Sequence, residues 1–224
     1  MSTENRNIND GNSAIGKSNL YDNLMRVGEK IRENENDPWG AIQFFQLAVS
    51  KATTTLQIVE AMCQIGLCYG HMNKINNALS TYVNALIISE ETKDKVGNIL
   101  AKTYLSSARL REGEIERASE LALDAYNILC TLPKEEIPNY AAWVVHGVVK
   151  TLIEEKKPRS EIRKWTKIEH RYLKEAQKKK KNSTQLKVWT ADWMMDTAYA
   201  WAPLGWIFLP AAYYLYRITK IRWT

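Results

Sequence analysis

Glycine and proline are scarce, ten and six among 224 residues, and there are only three cysteines and three histidines. Each shortage excludes something. With so little Gly and Pro the chain is no collagen-like repeat, and 45% hydrophobic residues exclude disorder throughout. A small, odd number of cysteines is no disulfide scaffold. Cys63, Cys68 and Cys130 fall inside apolar helical patterns, as the core thiols of a reducing compartment do. A Gly-rich phosphate loop, a nucleophile elbow and a convergent acid pair are all missing, so no enzyme and no cofactor are expected.

The histidines offer no metal-site spacing. Cys63, Cys68 and His71 share one helix but reproduce neither C-x2-C nor H-x3-H, and no second ligand pair follows, so no metal is expected. His146, within a Val-rich face, and His170 read as isolated core or surface histidines. Residues 1–18 carry Glu4 and Asp10 and almost nothing apolar, which excludes a secretory h-region and an acid-free transit helix. They read as a disordered arm.

Charge and tryptophan are distributed unevenly. The formal net charge is +6, yet residues 19–160 hold 16 bases and 18 acids, and residues 161–224 hold 13 bases and five acids. Five of the eight tryptophans, Trp189, Trp193, Trp201, Trp206 and Trp223, lie in the last 36 residues. A near-neutral body therefore carries a basic, aromatic-rich end.

From residue 19 to about 177 the apolar residues recur at three- and four-residue steps, the period of helices with one buried face. Breaks fall at Asp37-Pro38, His71 to Lys74, Glu91 to Asp94, Glu112 to Glu114, Leu132-Pro133 and Lys157-Pro158. Asp37 before Pro38 reads as an N-cap followed by proline in the first turn, where its missing N–H is harmless. About eight helices joined by short turns result.

Met62-x2-Ile65-Gly66-x2-Tyr69 followed by Ala78-x3-Tyr82-x2-Ala85 resembles the tetratricopeptide-repeat signature. Ala41-x3-Phe45-x2-Ala48 repeats its second half upstream. Downstream, Ala118-x3-Ala122-x2-Ala125 repeats it without the aromatic, and Leu105-Ser106 replaces the apolar-Gly pair. The offsets are 37 and 40 residues, both above the ~34 of the family. A fourth, degenerate pair covers 136–154 and 160–177. The resemblance implies an all-α, right-handed solenoid of about four helix hairpins over 19–177.

Such a solenoid implies a concave face that holds a peptide or helix of a protein partner. Carried over from the family, the groove comprises Glu60, Cys63, Gln64, Leu67, Thr103, Tyr104 and Ser107, with Val144 and Val148 further along. Family members that clamp a chaperone tail use Lys, Arg and Asn there. Those residues are missing, which implies an apolar or helical ligand.

Residues 197–216 form twenty consecutive uncharged positions, the length of a bilayer-spanning helix. Trp201, Trp206, Ile207, Phe208, Leu209, Tyr213 and Tyr214 are the expected anchor, with Asp196 as its N-cap. Residues 178–196 read as a basic linker with Lys178, Lys179, Lys180 and Lys181, and 217–224 as a basic tail with Arg217, Lys220 and Arg222. Pro203 and Pro210 leave a spanning helix and a segment packed on a membrane or protein surface both open. The basic run is not interleaved with aromatics, so no nucleic acid is expected, and anionic lipid suits it better. The layout is similar to that of mitochondrial fission adaptors, which implies a tail-anchored adaptor facing the cytosol from the mitochondrial outer membrane. An accessory subunit of a larger membrane complex and a soluble regulator are the alternatives.

Overall fold

The computed structural model describes residues 11–179, 184–201 and 210–214, with backbone alone at 11–19 and 184–185. The described secondary structure is helical throughout, and the chain divides into two compact units at Gly97 and Asn98.

The first unit holds α1 (Gly11–Lys30), a π-helical turn (Ile31–Glu35), α2 (Pro38–Lys51), α3 (Thr55–His71), α4 (Ile75–Glu91) and the first turn of α5 (Lys95–Arg111). Helix α1 starts inside the segment that composition assigns to a disordered arm. Extending a helix already nucleated over Leu20 to Lys30 is cheap, and polar side chains do not prevent it. Asp37 caps α2 as its sequence demands, accepting the Gly40 N–H at 2.9 Å, with Pro38 in the first turn. The α2–α3 break has no Gly or Pro to announce it. Thr54 supplies it by accepting from Gln57 N–H at 3.3 Å, while Gln57 Oε1 accepts from Thr53 N–H at 2.8 Å.

Consecutive helices pack as hairpins, and the small residue of the repeat signature explains how closely they do so. A Cβ added to Gly66 on α3 would stand 2.3 Å from the Tyr82 ring on α4. The first hairpin has the same contact in Gly28 and Phe45, where an added Cβ would stand 2.7 Å from the ring. Around these contacts Ala41, Ile42, Phe45, Ile65 and Cys68 form one core cluster, and Tyr21, Leu24, Ala48 and Ala61 another.

The second unit holds the rest of α5, α6 (Ile115–Cys130), α7 (Ala141–Glu154), α8 (Arg159–Lys179) and α9 (Thr184–Ala200). Ser106, standing where the signature has glycine, donates its hydroxyl to the Ala118 carbonyl at 2.7 Å, so the exchange leaves no buried hydroxyl unpaired. The core runs through Ala122, Val148, Val149, Leu152, Ile162 and Ala200, and through Ala142, Leu173, Ala176 and Leu186.

Helix α9 corrects the reading of 178–196 as a linker. Its residues lie against α7 and α8, with Leu186, Ala191, Asp192, Asp196, Thr197, Ala198 and Ala200 buried. The linker assignment rested on lysines, but Lys178 and Lys179 end α8, where cations suit the helix C-terminus. The apolar residues of α9 fall on all its faces, so no helical stripe is visible in its sequence.

One turn recurs between helices. Asn73, Lys93, Gly113 and Lys156 each take a left-handed conformation after a helix, with φ of 56°, 57°, 79° and 56°. The following N–H reaches back five residues in each case: Lys74 to Tyr69, Asp94 to Ser89, Glu114 to Arg109 and Lys157 to Leu152, at 2.9–3.0 Å. These are Schellman closures, and they satisfy helix-end carbonyls.

Candidate functional site

The repeat-signature residues occupy core positions within their own units. Ala41, Phe45, Ala48, Gly66, Ala78, Tyr82, Ala85, Ala118 and Ala125 are buried, and Tyr69 is half-buried with its ring edge-on to Trp39 at 6.3 Å. Lys74 sits over that same Trp39 ring at 4.2 Å.

In the first unit, Glu60, Cys63, Gln64 and Leu67 share successive turns of α3. Cys63 is fully buried and turns inward. Glu60 is half-buried and lies 3.4 Å from the Tyr21 hydroxyl, which also donates to the Gln57 carbonyl at 2.8 Å. Burial pushes the Glu60 carboxyl up from its ordinary value, against the lowering effect of the Tyr21 bond. Gln64 accepts from Arg32, which also pairs with Glu33 at 3.0 Å. Leu67 is half-buried and leaves part of its side chain open to solvent.

In the second unit, Thr103 is buried and its hydroxyl returns to the Ile99 carbonyl at 2.7 Å. Ser107 and Tyr104 are half-buried, and the Tyr104 ring meets Trp143 edge-on at 4.7 Å. Val144 and Val148 belong to the core. Cys63 and Thr103 are therefore packing residues, whereas Glu60, Gln64, Leu67, Tyr104 and Ser107 retain exposed surface. Cys63 and Cys68 are the buried thiols that the sequence leads one to expect; Cys130 is exposed, at the end of α6.

A second constellation escapes sequence reading. His146 on α7, Glu169 on α8 and Asp196 on α9 meet inside the second unit, 9%, 1% and 2% exposed. His146 Nδ1 lies 2.7 Å from Asp196 Oδ2 and 3.5 Å from Glu169 Oε1. Glu169 Oε2 is buried without a partner. Burial alone would push the imidazole pKa down, but the carboxylates of Asp196 and Asp192 and the bonds to Asp196 and Glu169 outweigh it. His146 therefore stands well above the usual histidine value. Burial and the neighbouring acids push Glu169 up to about 7, with His146 pulling it back.

His146 is thus no isolated core histidine, and Asp196 is no cap. Asp196 lies near the end of α9, where it reaches inward. Partners 23 and 27 residues apart form no motif. The available signals were Glu169 in the inward stripe Ile162, Trp165, Thr166, Leu173, and a histidine amid valines.

The aromatic end also differs from expectation. Trp193 stacks on His170 at 4.2 Å and donates Nε1–H to the Thr166 carbonyl at 3.1 Å; Trp189 and Trp193 pack on the cluster around Leu173. Arg163 donates to the Ala200 carbonyl at 2.9 Å and lies over the Trp201 ring at 4.6 Å. Trp201 is 40% exposed, Tyr213 68% and Tyr214 63%. Lys178 pairs with Glu175 at 2.8 Å, and Lys179 reaches the Ile137 carbonyl at 3.4 Å.

Among the described residues no helix is long and apolar enough to cross a membrane. The expected anchor residues Trp206, Ile207, Phe208 and Leu209 and the bases Lys180, Lys181, Arg217, Lys220 and Arg222 lie outside the described residues. Residues 197–200, the start of the uncharged run, belong to α9. A depression in the second unit, lined by Ile137, Asn139, Tyr172, Glu175 and Lys179 among others, has a volume of ≈ 20 Å³, room for about one water.

By sequence, no family profile and no curated protein matches the chain. Solved structures do match its fold. The apo form of RapI aligns with a TM-score of 0.68 at 9% identity, over 89% of this chain and 69% of that one. A putative kinesin light chain of Podospora anserina with nearly identical TPR-like repeats aligns at 0.55 and 12% identity, over 92% and 99%. The Rap conjugation gene regulator of plasmid pLS20, in complex with the Phr* peptide, aligns at 0.58 and 13% identity, over 96% of this chain and 58% of that one. With its Gly66–Tyr82 and Gly28–Phe45 hairpins, this chain has a tetratricopeptide-like helical-repeat fold.

Proposed function

We propose that this chain is a non-enzymatic scaffold that binds a peptide or helix of a protein partner through its repeat helices. The observation that carries the reading is the tetratricopeptide-like fold, shared with a regulator solved around a peptide. On α3 of the first unit the partly exposed Leu67 supplies apolar contact and Gln64 a hydrogen-bonding edge.

The test is binding of the full chain to an array of amphipathic helical and extended peptides. Leu67→Lys is expected to weaken the best binder by about tenfold, the loss of one well-packed contact. Binding that survives Leu67→Lys unchanged would contradict the placement of the site, and no binding to any array member would contradict the reading.

Membrane contact is the second element of the proposal. With 197–200 inside α9, the uncharged run that remains is 201–216, sixteen residues. As a helix it would reach about 24 Å, short of the ~30 Å hydrocarbon core, so its aromatic content suits an interfacial segment better than a spanning one. The basic flanks favour an anionic surface, for which the mitochondrial outer membrane is proposed. Vesicle flotation with and without anionic lipid checks this. Flotation that is independent of lipid charge would contradict the role given to the bases.

A further inference from the structure

Buried ionisable groups are costly unless their charges and hydrogen bonds close on one another. In the second unit they do not close. Two carboxylates, Glu169 and Asp196, are 1% and 2% exposed beside a single imidazole. The His146 Nδ1–H proton can be donated well to one acceptor only; Asp196 at 2.7 Å takes it, and Glu169 stays at 3.5 Å with its other oxygen unpartnered. The donor atoms of His146, Glu169 and Asp196 all lie within 4.8 Å of one another.

We propose that His146, Glu169 and Asp196 form a buried divalent-cation site, best suited to Zn2+, that joins α7, α8 and α9. One imidazole nitrogen and two carboxylates are donors that zinc accepts, at roughly 2.0–2.2 Å in a tetrahedron, which sets donor atoms about 3.4 Å apart. The His146–Glu169 separation of 3.5 Å already matches, and the His146–Asp196 separation of 2.7 Å needs an opening of less than about 1 Å. As the metal–nitrogen bond forms, the Nδ1 proton leaves to solvent. One proton is replaced by a doubly charged ion between two carboxylates. The orphaned Glu169 Oε2 is a further donor on the same side chain.

The burial assigns the role. A catalytic zinc needs an open position facing substrate, whereas these ligands are enclosed by three helices, so the ion would be a structural tie for α9. The hard, oxygen-preferring Mg2+ and Ca2+ are poorer matches to a site with an imidazole donor.

The experiment is titration calorimetry of the chelator-treated full chain with zinc chloride, alongside its melting temperature with and without the metal. One equivalent bound per chain and a raised melting temperature are expected. Asp196→Asn and Glu169→Gln keep side-chain shape and are each expected to weaken zinc binding by at least about tenfold. His71→Ala and Cys130→Ser, which remove donors elsewhere, are expected to leave it unchanged. Absence of stoichiometric binding to the parent chain would overturn the proposal even if a variant failed to fold. So would zinc binding that survives both ligand substitutions or disappears with Cys130→Ser. Binding of Mg2+ as tight as that of Zn2+ would overturn the choice of ion.

Discussion

The two units solve the same packing problem in different ways. In the first, glycine on one helix meets an aromatic ring on the next, Gly28 with Phe45 and Gly66 with Tyr82. In the second, Ser106 bonds to the Ala118 carbonyl instead, and the last three helices converge on His146, Glu169 and Asp196. Shape complementarity closes the first unit, and in the second a buried polar cluster adds to the apolar core. The two respond differently to substitution, because a steric contact fails when atoms are added and a polar one when a partner is removed.

The largest effect belongs to the polar closure. Asp196→Ala leaves the buried His146 without its main partner and is expected to destabilise the protein by about 3–5 kcal/mol in urea unfolding. A loss under about 1 kcal/mol would mean that the cluster contributes nothing net to the second unit.

The next effect changes sign between units. Gly66→Ala pushes a Cβ into the Tyr82 ring and is expected to cost about 1–3 kcal/mol. At Gly147 on α7 the nearest atom, Ala122 Cβ, is 3.9 Å away. Gly147→Ala is therefore expected to stabilise by about 0.5–1 kcal/mol through backbone entropy alone. Equal losses at both sites would remove the contrast between the units.

The recurring turn can be probed inside each unit. Lys93 is held left-handed at φ 57°, while Gly113 occupies the same kind of turn at φ 79° with open space around it. Lys93→Gly is expected to gain about 1 kcal/mol and Gly113→Ala to lose about as much, both through backbone strain. Thermal unfolding reads both.

The smallest effect is in pH. Burial raises the Glu60 pKa in the folded state, so between its unfolded and folded values the folded protein binds the proton more tightly. Stability then falls as pH rises through that window. Glu60→Gln keeps an acceptor for Tyr21 and removes the titration. The variant is expected to match the parent at low pH and to melt slightly higher at neutral pH. A gap that widens as pH falls would contradict the direction of the shift.

Legibility in the sequence follows the same division. The helices of the first unit announced themselves because Gly66, Tyr82, Phe45 and the Asp37-Pro38 cap are local, chemically distinctive signals. Gly28 was missed because its hairpin lacks the rest of the signature. In the second unit, α8 was visible as an apolar stripe, but α9 carries Trp, Met, Tyr and Ala on every face, and its lysines and tryptophans resembled a membrane approach. Only tertiary packing distinguishes the two. The His146 cluster lies outside any pattern argument, since its three members come from three helices. The candidate groove stands as a proposal. Its residues on α3 and on α5 were carried over from the signature alone, and periodicity did not show that Cys63 and Thr103 face inward.

The central claim is that α9 belongs to the folded body and is held there through Asp196. Hydrogen exchange of the α9 amides in the full chain tests it most directly. Protection of the later turns of α9 comparable to that of α7, falling selectively in Asp196→Asn while the first unit is unaffected, is the predicted result. Exchange of residues 186–200 at the rate of an unstructured linker would contradict the account.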